Sequence, residues 1–384
     1  MKQTGLLRKN LKRGQAVISV VLLFLLGTMA VLSGVARPVS RDVSELSDYR
    51  FSKQSYYAAE SGVEDVIYRL QSGMNVPDVI EIQNGYAFAV TSVSDMPGGK
   101  ELSSVGDLED RIRKISVVLT QEAGTVFTYA TQVGSIGLSM SANSRVNGDV
   151  YSNGNITGNL QTVIAGNAYA VGSISSPRPA VSGTKQAGAP IEPMPEIGLD
   201  YWRGRANINN DPNQGSISWG SGSHSLGPKK VVGSLSMTND ATLTITGPLH
   251  ITGNLFLGNS SVIYLSPSFG SKGVVVVVDG TISFNSNTRV FGTGGNPEGY
   301  PVFLSASNSS SAINLNSNAS LEATLYAVNG RVNLNSNGNA LAIAGQGINL
   351  NSNAVLNYDA GLKEMLLYDA PMSNLEIEEW KEVE

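Results

Sequence analysis

Seven acids, Asp149, Asp240, Asp279, Glu298, Glu322, Asp359 and Asp369, and two histidines, His224 and His250, are the side chains best able to do chemistry in the C-terminal two thirds. Two carboxylates about 5–10 Å apart would hydrolyse a glycosidic bond. No two of these acids are close neighbours in sequence, so only the fold could pair them. Asp240 and Asp279, the latter followed by Gly280, read as turn residues. The histidines stand alone, without a second ligand at metal spacing, and read as surface or hydrogen-bonded core residues. There is no Ser-His-Asp signature, phosphate loop or Gly-Gly-x-Gly-x-Asp calcium repeat. No constellation meets the requirements of an active site. The expectation is a non-enzymatic protein without cofactor or metal, with a polysaccharide-active enzyme as the catalytic alternative.

The elements that would position these groups come from an internal repeat. One nine-residue register, apolar-x-apolar-x-x-Asn-x-x-apolar, begins at Leu138, Leu235, Leu255, Ile282, Ile313, Val332 and Ile348. Apolar residues two apart share one face of a strand. The sixth position, Asn143, Asp240, Ser260, Asn287, Asn318, Asn337 and Asn353 in turn, suits a left-handed residue that turns the chain. Repeats that cannot bury a face alone stack into a solenoid. With strands and no helices between them, the spacing predicts a parallel β-helix in preference to a β-sandwich. Asn143, Asn287, Asn318, Asn337 and Asn353 would form a ladder of stacked amides. Such a ladder could also offer donors and acceptors to a sugar.

Prolines 177, 179, 190, 193 and 195 interrupt the repeat and predict an extended strap. Val274 to Val278 is apolar on both strand faces, so its outer side must be covered, by the strap, the C-terminal tail or a second molecule. The acidic tail containing Trp380 reads as the cap of the last coil.

Upstream, residues 14–36 carry no charge. As a helix they span roughly 34 Å, enough for a hydrocarbon core of about 30 Å. Lys2, Arg8, Lys9, Lys12 and Arg13 precede them and put the N-terminus in the cytoplasm. A cleaved signal ending at Gly34-Val35-Ala36 is the competing reading, although its apolar region is normally 7–15 residues. Val39, Val43 and Leu46, then Tyr56, Ala59, Val63, Val66, Ile67 and Leu70, continue as an amphipathic helix toward a cap at Gly73. One rod, kinked at most near Gly34 and Pro38, is expected. Residues 79–82 and 86–93 alternate around Asn84-Gly85 as a hairpin. A third strand at 112–119 follows a polar loop at 94–110.

Lys12-Arg13-Gly14-Gln15-Ala16 before the apolar span, with Tyr57-Ala58-Ala59-Glu60-Ser61-Gly62-Val63-Glu64 after it, resembles the N-terminal helix of PilX-type minor pilins. These are type IV pilus assembly proteins akin to minor pseudopilins of type II secretion. The resemblance covers about residues 10–70, with Ala58, Ala59, Glu60 and Gly62 as its motif. It implies a cut by prepilin peptidase between Gly14 and Gln15 and packing among other pilin or pseudopilin subunits. Major pilins carry Glu five residues after the cut; Ser19 stands there in this chain. From Phe127 onward, VNGDVYSNGNITG, EPMP, GPLHITGN, VDGTI, LYAVNG and WKE are similar to an uncharacterised β-helical domain found behind PilX-like helices.

The expected organisation is a basic leader (1–14), a transmembrane and amphipathic helix (15–73), a small β head (74–122) and the start of a β-helix (123–175). A Pro-rich strap or insertion (176–230), β-helix repeats (231–360) and a cap (361–384) follow. The fold class is thus an α+β pilin-like module followed by an all-β parallel solenoid. Of 26 basic residues, five lie before residue 14, leaving 21 against 31 acids, a net charge of −10. That argues against nucleic-acid binding. Without cysteine there are no disulfides. The functional expectation is a structural, single-pass subunit of a bacterial inner-membrane filament system, its bulk outside. It would contact the lipid bilayer and, through its passenger, a glycan or a host or abiotic surface. A permanently anchored surface adhesin is the alternative.

Overall fold

The computed structural model describes residues 5–72, 74, 76–96, 99–121, 127–368, 370 and 375–383, and of residues 5–16, 84, 95, 121, 213 and 214 the backbone alone. The expected cap Gly73 and the acid Asp369 lie outside the described residues. The chain divides into two units, Met1–Thr120 with Leu375–Glu384, and Gln121–Asn374.

In the first unit, α1 (Gly5–Gln71) is one continuous helix of 67 residues, with Pro38 inside it. Its apolar half lies open: Leu23 is 74% and Phe24 72% exposed. By length and composition this half can cross a membrane. Further along, Ser55, Ala58, Ala59, Gly62, Val63, Val66 and Leu70 form a buried stripe. That stripe lies on an antiparallel meander of β1 (Val79–Asn84), β2 (Ala87–Met96), β3 (Gly99–Leu108) and β4 (Arg111–Gln121). Asn84 pairs with Ala87, so the hairpin loop is Gly85-Tyr86, one residue later than expected, with Gly85 at φ 65°.

Two expectations fail here for identifiable reasons. The segment read as a polar loop contains β3. Its helix-facing residues include Ser104 and Gly106, because the helix backbone comes too close for large side chains. A Cβ on Gly106 would lie 1.9 Å from the Ser55 carbonyl oxygen. The tail read as a solenoid cap instead places Leu375–Val383 beside β4 as a fifth strand, with Arg113 and Glu382 paired at 3.0 Å. Alternation of Leu375, Ile377 and acids is as compatible with an edge strand as with a cap, and sequence separation hid its partner.

The second unit is a parallel β-solenoid with three strand faces. On one face, which we call the amide face, the strands run Ile217–Trp219, Leu235–Met237, Leu255–Leu257, Ile282–Phe284 and Ile313–Leu315, then the second halves of Thr324–Leu334 and Ala342–Leu350. The next strand in space is Thr131–Met140, followed by Ile156–Gly158. All seven copies of the register therefore stack in one column. The Leu138 copy, first in sequence, pairs with the last, at Ile348. The segment expected to start the solenoid forms its far end.

This winding requires the chain to travel back along the whole axis, and the proline strap does so. The strap is narrower than the expected 176–230. Residues 180–181 and 185–187 still belong to the last rung, and 213–232 already build the first ones. Between them, strap carbonyls accept hydrogen bonds from outward side chains of successive rungs. Tyr151 donates to Pro190, Asn153 to Glu192 (2.6 Å), Gln132 to Pro193 (2.6 Å) and Tyr326 to Pro195 (3.0 Å). Proline suits this path because it supplies an acceptor and has no N–H to leave unpaired. The strap ends in α2 (Leu199–Ala206), whose Trp202 is buried with Val275 and Val277. Leu362 and Met365 complete that cover, so the five-valine strand is sealed within its own chain.

Gly62 is the tightest helix–sheet contact in the motif. A Cβ there would meet Thr91 Oγ1 at 2.3 Å and Ser104 Oγ at 2.7 Å, two hydroxyls bonded to each other at 2.9 Å. Gly62→Val is expected to destabilise the head by about 1–3 kcal/mol. Thermal unfolding of the detergent-solubilised chain measures this, with the exposed Glu64→Gln as a neutral control.

Candidate functional site

The amide face has two continuous hydrogen-bonded columns, and neither is the expected ladder, whose corner side chains bond among the described residues only as two separate pairs. The sixth-position residues all adopt the left-handed conformation, with φ 62° at Asn143, 67° at Asp240, 61° at Ser260 and Asn287, 62° at Asn318, 60° at Asn337 and 59° at Asn353. Gln161, at φ 59°, adds a further turn of this kind in a rung where Gly158 obscures the register. Asn337 Nδ2 donates to Asn318 Oδ1 at 3.0 Å, and Asn143 to Asn353 at 3.1 Å.

Beside this corner run two inner columns. Asn316, Asn335 and Asn351 donate to Asn285, Asn316 and Asn335 at 2.6, 3.1 and 2.7 Å. Asn333 and Asn349 donate to Asn314 and Asn333 at 2.9 and 2.7 Å. Every one of these bonds points the same way along the axis, so each amide polarises the next. The repeated INLNSN was the available signal: asparagines two apart on a strand share a face. Inner amides are half-buried, whereas Asn287, Asn318, Asn337 and Asn353 are exposed. The face can offer an uncharged, regularly spaced set of donors and acceptors.

The acids are occupied in turns and caps. Asp149 accepts from the Asn167 N–H at 2.7 Å, Glu298 from Gly294 at 2.9 Å and Glu322 from Gly292 at 3.3 Å. Asp359 accepts from Gly361 at 2.8 Å and from the buried Tyr300 hydroxyl. Burial, then that bond to Asp359, pushes the Tyr300 phenol far above its ordinary range. Glu298 also raises it, so two carboxylates act on this tyrosine. Both acids nevertheless hold backbone N–H groups. Among the described residues no three His, Cys, Asp or Glu side chains group to hold a metal.

Asp279 lies in the turn after the five-valine strand and His250 is a hydrogen-bonded core residue, as read, but the sequence did not show that they meet. His250 is buried, and its Nε2 lies 2.8 Å from Asp279 Oδ2. Arg203 of α2 donates from Nε and Nη2 to Asp279 Oδ1 at 3.0 and 2.6 Å, and from Nη1 to Asp200 at 2.7 Å. The cluster fastens the strap's helix to the solenoid. Burial works to raise the Asp279 pKa, but the bonds from His250 and Arg203 outweigh it and hold the carboxyl below its usual range. Register brings them together: His250 pairs with Val277, two residues before Asp279, and so meets a carboxylate 29 positions away in sequence.

In the helix motif, Ala58, Ala59 and Gly62 are buried against the sheet. Glu60 is half-buried and Glu64 exposed, and among the described residues neither enters an ion pair. Gly14 and Gln15 belong to α1, with only their backbone described. The head bears a separate depression of about 350 Å³, lined by Phe51, Gln54, Tyr86, Phe88, Asp107 and neighbours.

No family model and no curated protein matches this sequence. Among solved structures, an ice-binding protein from the Antarctic ascomycete Antarctomyces psychrotrophicus is similar over 62% of this chain and 98% of its own, with 12% identity and a TM-score of 0.35. The competence-associated pilin ComZ from Thermus thermophilus is similar over 87% of this chain and 97% of its own, with 11% identity and a TM-score of 0.31. Both likenesses are too remote to bear on the role of this chain.

Two outcomes follow from the geometry. Asn335→Ala breaks two column bonds and is expected to cost about 1–3 kcal/mol in solenoid stability, read by thermal unfolding. Asp279 has a depressed pKa, so its stabilisation is complete above about 3.9, the ordinary carboxyl value, and fades as pH falls through the folded value. Proteolytic cleavage near α2 should therefore increase below about pH 4 in the native chain. In Asp279→Asn it should already be raised at pH 7 and respond less to acid.

Proposed function

We propose that this chain is a structural, minor pilin-like subunit of a type IV pilus or related secretion filament. It would sit in the bacterial inner membrane with its N-terminus in the cytoplasm and carry the solenoid outside, then join a filament, where a bulky passenger suits a tip. The observation that carries this reading is α1. One uninterrupted helix is apolar and open along its first half and bears the head on its second. A secretory signal that is discarded gains nothing from continuing in helical phase into a packed domain. The open half offers small residues, Gly27, Ser33 and Gly34, for close approach of neighbouring apolar helices. Beyond the adjacent residues and the local helix backbone, no described atom lies within 4 Å of a Cβ at Gly27 or Gly34.

The partners in this proposal are other pilin or pseudopilin subunits, prepilin peptidase and the bilayer. The amide face would meet a surface glycan or a solid surface. No nucleic acid is involved, and no cofactor. Permanent anchoring as a surface adhesin is the second reading, favoured by Ser19 in place of the glutamate that major pilins carry. We read the protein as non-catalytic because each acid described above holds a turn, a cap or a cation.

Mass spectrometry of the protein from native membranes separates these readings. A mature chain beginning at Gln15, together with its presence in sheared filaments, is expected. An intact Met1 with no filament association supports the anchor, and a start beyond Ala36 ends both.

A further inference from the structure

The two ends of the solenoid are finished differently. At one, among the described residues, strands Ile217–Trp219 and Ser223–Leu226 pair on one side only, with Leu235–Met237 and Thr242–Ile245. A parallel strand with a single neighbour leaves the N–H and C=O of alternate residues facing away. By register, Ile217, Trp219, His224 and Leu226 are the inward residues of this rung, opposite the buried Leu235, Met237, Leu243 and Ile245. They are half-buried, since no further rung covers them. Trp219 and His224 stack with centroids 4.2 Å apart and planes 4° from parallel, an aromatic plate within this end rung. Residues 213–226 contain no Lys, Arg, Asp, Glu or Pro.

The opposite end carries the devices that keep strand edges from pairing. Lys185 stands opposite the buried Ala168, an inward position, and its Nζ donates to the Ser175 carbonyl at 2.9 Å. Pro177 and Pro179 remove two N–H donors from the same turn, with Arg178 between them.

We propose that two copies of this chain associate end to end through the 213–226 rung, their terminal strands running antiparallel across a two-fold axis. A foreign strand could add to one open edge, but it would leave the other edge and the plate uncovered. A second copy covers all three together, and the uncharged rung does not repel itself. The protected far end prevents head-to-tail growth, so association closes at the dimer. The 213–226 rung contributes 14 residues a side, fewer than the roughly 20–30 of a standard interface, so the two open backbone edges must add to the apolar contact, with a tryptophan near its centre as anchor. This proposal is independent of the filament reading.

The test is the mass of the full-length chain in detergent, by sedimentation with the detergent contribution removed. At about 10 μM the native chain should be dimeric. Ser218→Pro and Ser225→Lys, both at exposed edge positions away from the plate, should each weaken the dimer at least tenfold with the melting profile unchanged. Lys185→Ser should have no effect. The chain has no cysteine, so Ser218→Cys provides a second readout and should give a disulfide-linked dimer on mild oxidation. A monomer at this concentration overturns the proposal. So does a dimer untouched by both edge variants, which would place the contact on α1, or crosslinking of Ser218→Cys only to another protein.

Discussion

A parallel strand can satisfy its backbone only through neighbours that the chain must leave and return to, and this condition governs the second unit. Each rung depends on the next for its hydrogen bonds, so the return path has to lie outside the stack. Here the path is long. After the last rung, the strap crosses the outer face to the far end, and only then does the chain wind back. About ten rungs at about 4.8 Å make an axis of roughly 48 Å. Residues 188–198, the eight of α2 and the six that follow it together exceed that length, so the connection can span the axis.

The same condition explains where the polar chemistry went. Asparagine at the corner accepts the left-handed backbone that most residues resist, and its amide then bonds to the same residue one rung away. Where the two inner columns run side by side, from the Ile282 rung onward, neutral amides order the face. Acids serve the turns that remain. The cluster of Arg203, Asp279 and His250 joins the strap to the stack. Burial pushes the Tyr326 phenol up to about 12, so it remains a donor to the strap across the physiological range.

Close approach governs the first unit. A helix that must be apolar on all sides early and sit flat on a sheet later has little freedom in side-chain size. Ala58, Ala59 and Gly62 on α1 meet Ala89, Ser104 and Gly106 on the sheet, and the backbone-to-backbone contact leaves no room for larger groups. The alanine and glycine of the helix motif thus act in packing, leaving Tyr57, Glu64 and Tyr68 exposed.

The sequence by itself determined whatever rests on local spacing. Uninterrupted apolar length gave the membrane-competent helix, three-and-four steps gave its buried stripe, and the nine-residue register gave the strands and their corner turns. The proline run could be read as extended because proline excludes pairing. Tertiary structure decided everything that joins residues far apart. It set the Leu138 rung beside the Ile348 rung, took the C-terminal strand into the head, gathered His250, Asp279 and Arg203, and made a strand of residues 99–108. Each of these depends on which edge or face is free when the chain returns. A strand's own pattern records which side is buried, and carries no mark of the neighbour that buries it.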